Sequence, residues 1–308
     1  MQLKGIRLAL SLFALACGGF VADSHAQKNT PSTPLKFRFS NLTVPGAAQT
    51  DAYGINNSNV IAGDYIDGNG LQHGMILNGT QLTTLDCPTG APTTIYRISS
   101  RGTGVAQCGV APTLGGFWIW VCNPPDFIDC RWVWIPYPCF RCRVQAFDVN
   151  DTDHVAGEWI DENKVTHGFL FNLTTNAFTT FDVPGASATL AVGINNVGLV
   201  TLQASDASGR VHSYLYDGKT YQLIDVPGAV QSFARGINNN RDIVFTTIDS
   251  AGGSHGAVLS GGKYFPFDDP NSKGATRSYG INDRKNIVGR YSPGPTSKQN
   301  YSFEATFQ

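Results

Sequence analysis

The sequence predicts an all-β protein, a six-bladed β-propeller of four-stranded antiparallel blades. Three observations predict it: a unit repeated six times, four strand-like segments within each copy, and complementary strands at the two ends. The clearest copies are FDVPGASATLAVGINN from Phe181 and IDVPGAVQSFARGINN from Ile224, with an earlier one, LTVPGAAQTDAYGINN, from Leu42. Pro45, Pro88, Pro184, Pro227 and Pro270 mark the units, with steps of 43 from Pro45 to Pro88, Pro184 to Pro227 and Pro227 to Pro270. Pro138 fills the gap. Asn56, Asn150, Asn195, Asn238 and Asn282 keep the same phase, with Ser99 standing in the second copy. A fixed period of this length signals a solenoid, propeller or array.

Within the first unit, turn residues punctuate period-two segments. Ala52 to Ile55 reads as a strand, then Val60 to Ile66, His73 to Leu77 and Gln81 to Leu85. Asn56-Asn57-Ser58-Asn59, Asp67-Gly68-Asn69-Gly70 and Asn78-Gly79 are the turns between them. Asn and Gly suit such turns because they tolerate positive φ. Val-Pro-Gly then ends the pairing and carries the chain onward. Four short antiparallel strands per repeat is the size of a propeller blade.

The ends predict closure. The last unit has strands near Thr276 to Ile281, Lys285 to Tyr291 and Asn300 to Thr306, and no fourth. Lys36 to Leu42, KFRFSNL, is a spare strand before the first Val-Pro-Gly. Docked on the last unit, it completes the sixth blade and covers a bare edge. A solenoid would need polar caps instead.

Residues 1–26 carry Lys4, Arg7, an apolar run and Ser24-His25-Ala26, the pattern of a secretory signal peptide. Lipidation at Cys17 is the rival reading. Residues 27–35 read as a polar linker and 36–308 as one repeat domain, with a Cys/Trp-rich insertion at about 117–143. A net charge of -1 with no basic stripe argues against nucleic acid as a partner. No later run is long and apolar enough to span a bilayer as a helix. The chain is expected to be secreted, with the periplasm as an alternative, and monomeric.

The GIN-N-x-G, D-x-x-G and H-G elements resemble the HAF-repeat family of bacterial extracellular repeat proteins. The resemblance spans nearly all of Lys36 to Gln308. It implies a propeller-like fold and secretion, without a defined activity. The second unit departs most, with Ile98-Ser99-Ser100 for the GIN-N and Gly115-Gly116-Phe117 for the His-Gly. The sixth has Gln299-Asn300 at the His-Gly position.

Six cysteines lie in or just before the insertion: Cys87, Cys108, Cys122, Cys130, Cys139 and Cys142. An even count in an exported chain points to disulfides. One pair follows from register: if Cys122 faces Cys130, then Trp120 faces Trp132 and Trp118 faces Trp134, all on one face of a hairpin. The pairing of the other four stays open at this point: Cys87 with Cys108 on one propeller face and Cys139 with Cys142 is one arrangement, and the CxxC is also a redox or zinc signature. Zinc on Cys122, Cys130, Cys139 and Cys142 is disfavoured by the spacing.

The Trp ladder reads as inter-blade packing or as an exposed sugar-stacking platform. Trp118 and Trp134 on that ladder, with Tyr137, Phe140, Arg141 and Arg143 in the loop after it, are the ligand-binding candidates. His73, His167, His212 and His255 share one third-strand position, read as neutral histidines bonded to a neighbouring turn. Asp67, Asp161, Asp206 and Asp249 read as turn formers rather than calcium ligands. No catalytic motif is present, and no catalytic residue, cofactor or metal is assigned. Two functions remain: a secreted propeller that binds an extracellular ligand, glycan or protein, and an enzyme (hydrolase or lyase) on extracellular polysaccharide. Polar and charged residues converging on the axial channel favour the enzyme; an apolar or glycine-lined channel favours the binder.

Overall fold

The computed structural model describes residues 35–109, 113–123, 128–136, 139, 141–294, 297 and 299–308. Among them there is no helix, and all strands but the two-residue Thr113–Leu114, which pairs with Arg143–Val149, form antiparallel groups of four, some of which are joined by single parallel bridges into sheets of eight and nine strands. The first unit is Gln49–Ile55, Val60–Ile66, Gln72–Asn78 and Gln81–Leu85. Its first strand starts earlier than the pattern indicates because Thr50 and Asp51 are polar yet buried. The Thr50 hydroxyl accepts from the Val44 amide at 2.9 Å, pinning the incoming Val-Pro-Gly segment. Thr93, Thr189, Ser232 and Thr276 repeat that contact in the second, fourth, fifth and sixth units.

The second unit is Thr93–Ile98, Thr103–Cys108, Gly116–Asn123 and Ile128–Pro136, and the third Arg143–Val149, His154–Ile160, Thr166–Asn172 and Ala177–Phe181. The fourth is Ala188–Ile194, Val200–Ser205, Val211–Tyr216 and Tyr221–Leu223. The fifth is Gln231–Ile237, Ile243–Ile248, Ser254–Ser260 and Lys263–Phe267. The sixth draws Ala275–Ile281, Asn286–Ser292 and Tyr301–Phe307 from the C-terminal end and its fourth strand, Phe37–Leu42, from the other end. That pairing runs antiparallel from Phe37 opposite Phe307 to Leu42 opposite Ser302. Phe37 and Phe39 pack on Phe267, Phe303 and Phe307, which holds the added strand by its apolar face.

Each sheet is buried on both faces, so the core is divided among the contacts between neighbouring units. Val60, Ile76, Ile95 and Trp120 fill the contact between units one and two, and Phe117, Val144 and Phe169 that between two and three. Ala52, Ile61 and Val288 bring the sixth unit against the first. Burial on two faces explains why strands such as VIAG and IVFT lack clean alternation.

The first strands share one irregularity. In all six, the register slips by one residue just before the Gly-Ile-Asn position, as between Ala52 and Gly54 or Ala191 and Gly193. Such a bulge puts two residues opposite one and re-aims their side chains. Six bulges at one level shape the centre of the molecule.

Candidate functional site

The centre is lined by the first strands of all six units and holds two cavities that share Arg97. One, of about 60 Å³, lies among the Asn-Asn turns. Here the repeated Asn has two roles. Its side-chain oxygen shapes its own turn: Asn56 Oδ1 accepts from the Ser58 and Val60 amides, both at 2.9 Å. Its side-chain N–H₂ donates to the same carbonyl of the next unit. Asn150 donates to Asn195 O at 2.9 Å, Asn195 to Asn238 O at 3.1 Å, and Asn238 to Asn282 O at 3.0 Å. Asn282 then donates to Asn56 O at 3.0 Å, and Asn56 to Ser99 O at 3.3 Å. Ser99 is too short to pass the bond on, but the second bond of each link is kept there: the Ser100 amide donates to Asp151 Oδ1 at 2.6 Å, as the Asp151, Asn196, Asn239 and Asp283 amides donate to the side chain at the same position of the next unit.

Next to this ring is the residue that is Gly54, Gly193, Gly236 and Gly280 in four units and Arg97 and Asp148 in the other two. The two exceptions form a buried ion pair, Arg97 Nε to Asp148 Oδ1 at 3.0 Å. Arg97 also donates to Tyr53 O at 3.2 Å and Tyr279 O at 3.3 Å, while Asp148 Oδ2 accepts from the Ile194 amide at 2.9 Å. The glycines make room for it: a Cβ at Gly280 would sit 2.4 Å from Arg97 Nη1, and one at Gly236 3.0 Å from Nη2. Burial pushes the Asp148 carboxyl up, and Arg97 with two backbone amides pulls it back. The pair therefore plugs the centre, and its polar atoms are satisfied within the protein.

The second cavity, of about 200 Å³, lies on the other side of Arg97. The bulged residues Tyr53, Tyr96, Phe147, Val192, Arg235 and Tyr279, one per unit, form its wall. Tyr279, Tyr53, Tyr96 and Phe147 make a continuous aromatic arc, with ring centroids 5.2, 5.9 and 5.9 Å apart in turn. Two residues earlier come the cross-strand pairs Asp51–Asp64, Thr94–Gln107, Gln145–Glu158, Leu190–Gln203, Phe233–Thr246 and Arg277–Arg290. Asp64 accepts from Thr94 Oγ1 at 2.8 Å and Gln72 Nε2 at 3.0 Å, yet burial pushes its carboxyl up to about 7. Burial pushes Glu158 up to about 7 as well. Tyr96 donates to Gln107 Oε1, accepts from Gln145 Nε2 at 2.9 Å, and is raised first by burial and then by the Asp64 charge.

This is where the repeat breaks, and a repeat reading centred on the second unit misses it. Aligned on Gly-Ile-Asn, the copies hold Tyr, Tyr, Phe, Val, Arg and Tyr at one position inside otherwise uniform sequence. That variation is the signal that could have located the cup.

Of the sequence-predicted ligand-binding candidates that are described, Trp118, Trp134, Arg141 and Arg143, none lines either cavity. Tyr137 and Phe140 fall outside the described residues; Arg141 and Arg143 are exposed. The hairpin register is as expected, with Trp120 opposite Trp132 and Trp118 opposite Trp134. Trp120 is fully buried between units, over Gly104, where a Cβ would come within 2.1 Å of the indole. Trp118 is half-buried and Trp134 is 37% exposed, edge-on to each other at 5.1 Å. The disulfides are Cys87–Cys108, Cys122–Cys130 and Cys139–Cys142, which fits an oxidising compartment.

The histidines do more than bond one neighbouring turn. Each bridges two aspartates, one from the turn before its strand and one from the end of the next. His73 joins Asp67 and Asp86, His167 joins Asp161 and Asp182, and His212 joins Asp206 and Asp225. His255, between Asp268 at 2.8 Å and Asp249 at 3.2 Å, is raised chiefly by its hydrogen bond to Asp268. The turn aspartates accept backbone amides, as Asp67 does from Asn69 and Leu71, and the Ser208 hydroxyl with nearby amides holds Asp206 at about 2.

No family model and no curated protein sequence matches the chain. Solved structures do. The chain is similar to the SapL1 lectin in complex with α-methyl fucoside, at 9% identity and TM-score 0.52, covering 84% of this chain and 94% of that one. It is similar to a triple arginine-to-alanine mutant of AofleA from Arthrobotrys oligospora (9% identity, TM-score 0.50, covering 91% and 95%). It also matches Pyrococcus horikoshii acylaminoacyl peptidase at 11% identity and TM-score 0.49, covering 80% of this chain but only 42% of the peptidase. At such identities the likeness is one of fold. Four-stranded antiparallel units packed face to face make that fold a β-propeller. Among the described residues, no helix is long and apolar enough to cross a membrane.

Proposed function

We propose that the chain is a secreted, saccharide-binding β-propeller, closed with six blades, that holds its ligand in the cup over the Arg97–Asp148 plug. Closure is supported by the bond from Asn282 to Asn56, by the Val288 contact with the first unit and by the borrowed N-terminal strand. The Gly-Ile-Asn of units one, four, five and six and the third-strand histidines of units one, three, four and five are what membership in the HAF-repeat family would give.

The observation that carries the binding reading is the ring of six equivalent bulged positions, diverged into Tyr53, Tyr96, Phe147, Val192, Arg235 and Tyr279 around one cavity. Aromatic faces stack on the C–H surface of sugar rings, and Arg and Gln side chains at the wall can bond hydroxyls. A volume of about 200 Å³ is below the roughly 300–1,000 Å³ of drug-sized pockets. It suits one terminal sugar rather than the middle of a chain. The lectin likenesses agree with this reading without carrying it.

A glycan array followed by titration calorimetry tests the assignment. Phe147→Ala is expected to weaken the best glycan about tenfold, as loss of one aromatic contact would, and Trp134→Ala to leave it unchanged. The reverse result would move the site to the Trp hairpin.

One observation favours a second reading, the enzyme that polar and charged residues at the centre were expected to indicate. Asp64 and Glu158 both titrate near 7 with their charges felt at Tyr96, an arrangement suited to general acid–base work on a glycosidic bond. Release of new reducing ends from a bound oligosaccharide, abolished by Glu158→Gln, would replace the binder with a hydrolase.

A further inference from the structure

The cup is asymmetric in charge. Its aromatic arc comes from units six, one, two and three, and unit five contributes Arg235. The Arg235 Nε is buried and has no hydrogen-bond partner. It forms no counterpart to the aspartate pairs of Arg97, Arg101 and Arg290. Its guanidinium lies instead 5.8 Å from the Phe233 ring centroid and 5.6 Å from that of Tyr279. Arg290 lies 5.7 Å from the same Tyr279 ring and stands across the strand pair from Arg277.

Two guanidinium groups thus lie near one tyrosine, with Arg277 across the strand pair from the second, and the only close carboxylate among the described residues is Asp51, 3.5 Å from Arg290. Asp64 and Glu158 belong to units one and three, and burial keeps both partly protonated near neutrality. Burial, together with the Arg277 and Arg290 charges, depresses Arg235 itself. A desolvated cation without a partner is costly to keep. The interior here does hold satisfied charge, since Arg97 has three acceptors. Leaving Arg235 open to a cavity is therefore a feature of the cavity.

Resting on the reading of the cup as a saccharide site, we propose that the sugar is acidic, with its carboxylate or sulfate seated on the Arg235 guanidinium and its ring against Tyr279. The planar fork of Arg offers two parallel N–H donors to such an anion, where Lys offers a point charge. The neutral aromatic arc on the other side leaves the apolar face of the ring its own surface.

The test is calorimetry on the purified protein with glucuronate and galacturonate, galactose 6-sulfate, and neutral glucose and galactose. At least one acidic sugar is expected to bind about tenfold or more tighter than its neutral counterpart, in line with hydrogen bonds to a charged group, and to weaken as salt rises. Carboxylate and sulfate arms distinguish the two anions. Arg235→Gln should abolish the preference, without lowering the urea midpoint, and Arg235→Lys should keep part of it. Equal binding of acidic and neutral sugars by the wild type, or a preference that survives in Arg235→Gln, overturns the inference while leaving the cup a sugar site. If neither acidic nor neutral sugars and no array glycan bind the folded wild type, the saccharide reading itself falls.

Discussion

The two ends of the central cavity are built from neighbouring residues of the same six strands, yet they follow opposite rules. At the turn end, Asn56, Asn150, Asn195, Asn238 and Asn282 are one residue used five times. At the cup end, one residue before the glycine position, Tyr53, Phe147, Val192 and Arg235 share almost nothing. The turn end solves one problem between every pair of neighbours, so one side chain serves throughout. The cup meets a single object from six directions, and a ligand without six-fold symmetry needs different groups on different sides. The Arg97–Asp148 pair marks the border: it sits at a repeat position but makes contacts that only one geometry allows.

The largest effect is expected at that border. Asp148→Ala leaves Arg97 charged and buried without its partner, and is expected to cost about 3–5 kcal/mol. Urea unfolding at constant m-value measures it. The double variant Arg97→Gly with Asp148→Gly gives all six units glycine and should cost less than Asp148→Ala alone, because no charge is stranded. A loss under about 1 kcal/mol in Asp148→Ala would show that the centre is wet and the pair is no plug.

A smaller effect separates the two ends by pH. Asp64 and Glu158 have carboxyls raised by burial to about 7, above ordinary values of 3.8 and 4.5. A raised carboxyl stabilises below its unfolded value and loses that contribution as pH climbs through the folded one. Stability should therefore fall between about pH 4 and pH 8, by roughly 2 kcal/mol once solvent screening is allowed for. Asp64→Asn should flatten the curve at the cup end. Substitutions among the ring asparagines, which do not titrate, should shift it without changing its shape. A pH-independent wild type would mean that both carboxyls are ionised and solvated.

The smallest effect tests the turn end. Asn282→Ser copies the natural exception at Ser99 into the link between the last unit and the first. It removes the bonds to Asn56 O and Asn59 Oδ1 and should cost about 1 kcal/mol. The same change at Asn195, between two units joined by the chain itself, should cost a similar amount if the ring is closed and uniform. A cost confined to Asn195 would argue that the ends are not joined.

Much of the fold was legible because its causes are local. Val-Pro-Gly breaks, Asn turns and strand-length segments act over a few residues, so unit boundaries and turns fell where the pattern put them. The Trp hairpin was legible for the same reason, since Cys122 and Cys130 lie close enough for register alone to pair Trp118 with Trp134. The missing fourth strand and its N-terminal counterpart were readable by counting.

The cup was not readable that way. Tyr53 and Arg235 are 182 residues apart in sequence, and whether two such side chains face one cavity depends on how six sheets pack and on a bulge that turns each residue inward. The bridging aspartates went unseen likewise, because His73 meets Asp86 only once the third and fourth strands are paired. From sequence alone came the repeat, the strands and the turns, all set by short-range chemistry. Only the tertiary structure decided which diverged residues share a wall, that Arg97 finds Asp148 across a unit boundary, and that Arg235 is left facing the cavity without a partner. Those depend on distances between units, and no interval along the chain encodes them.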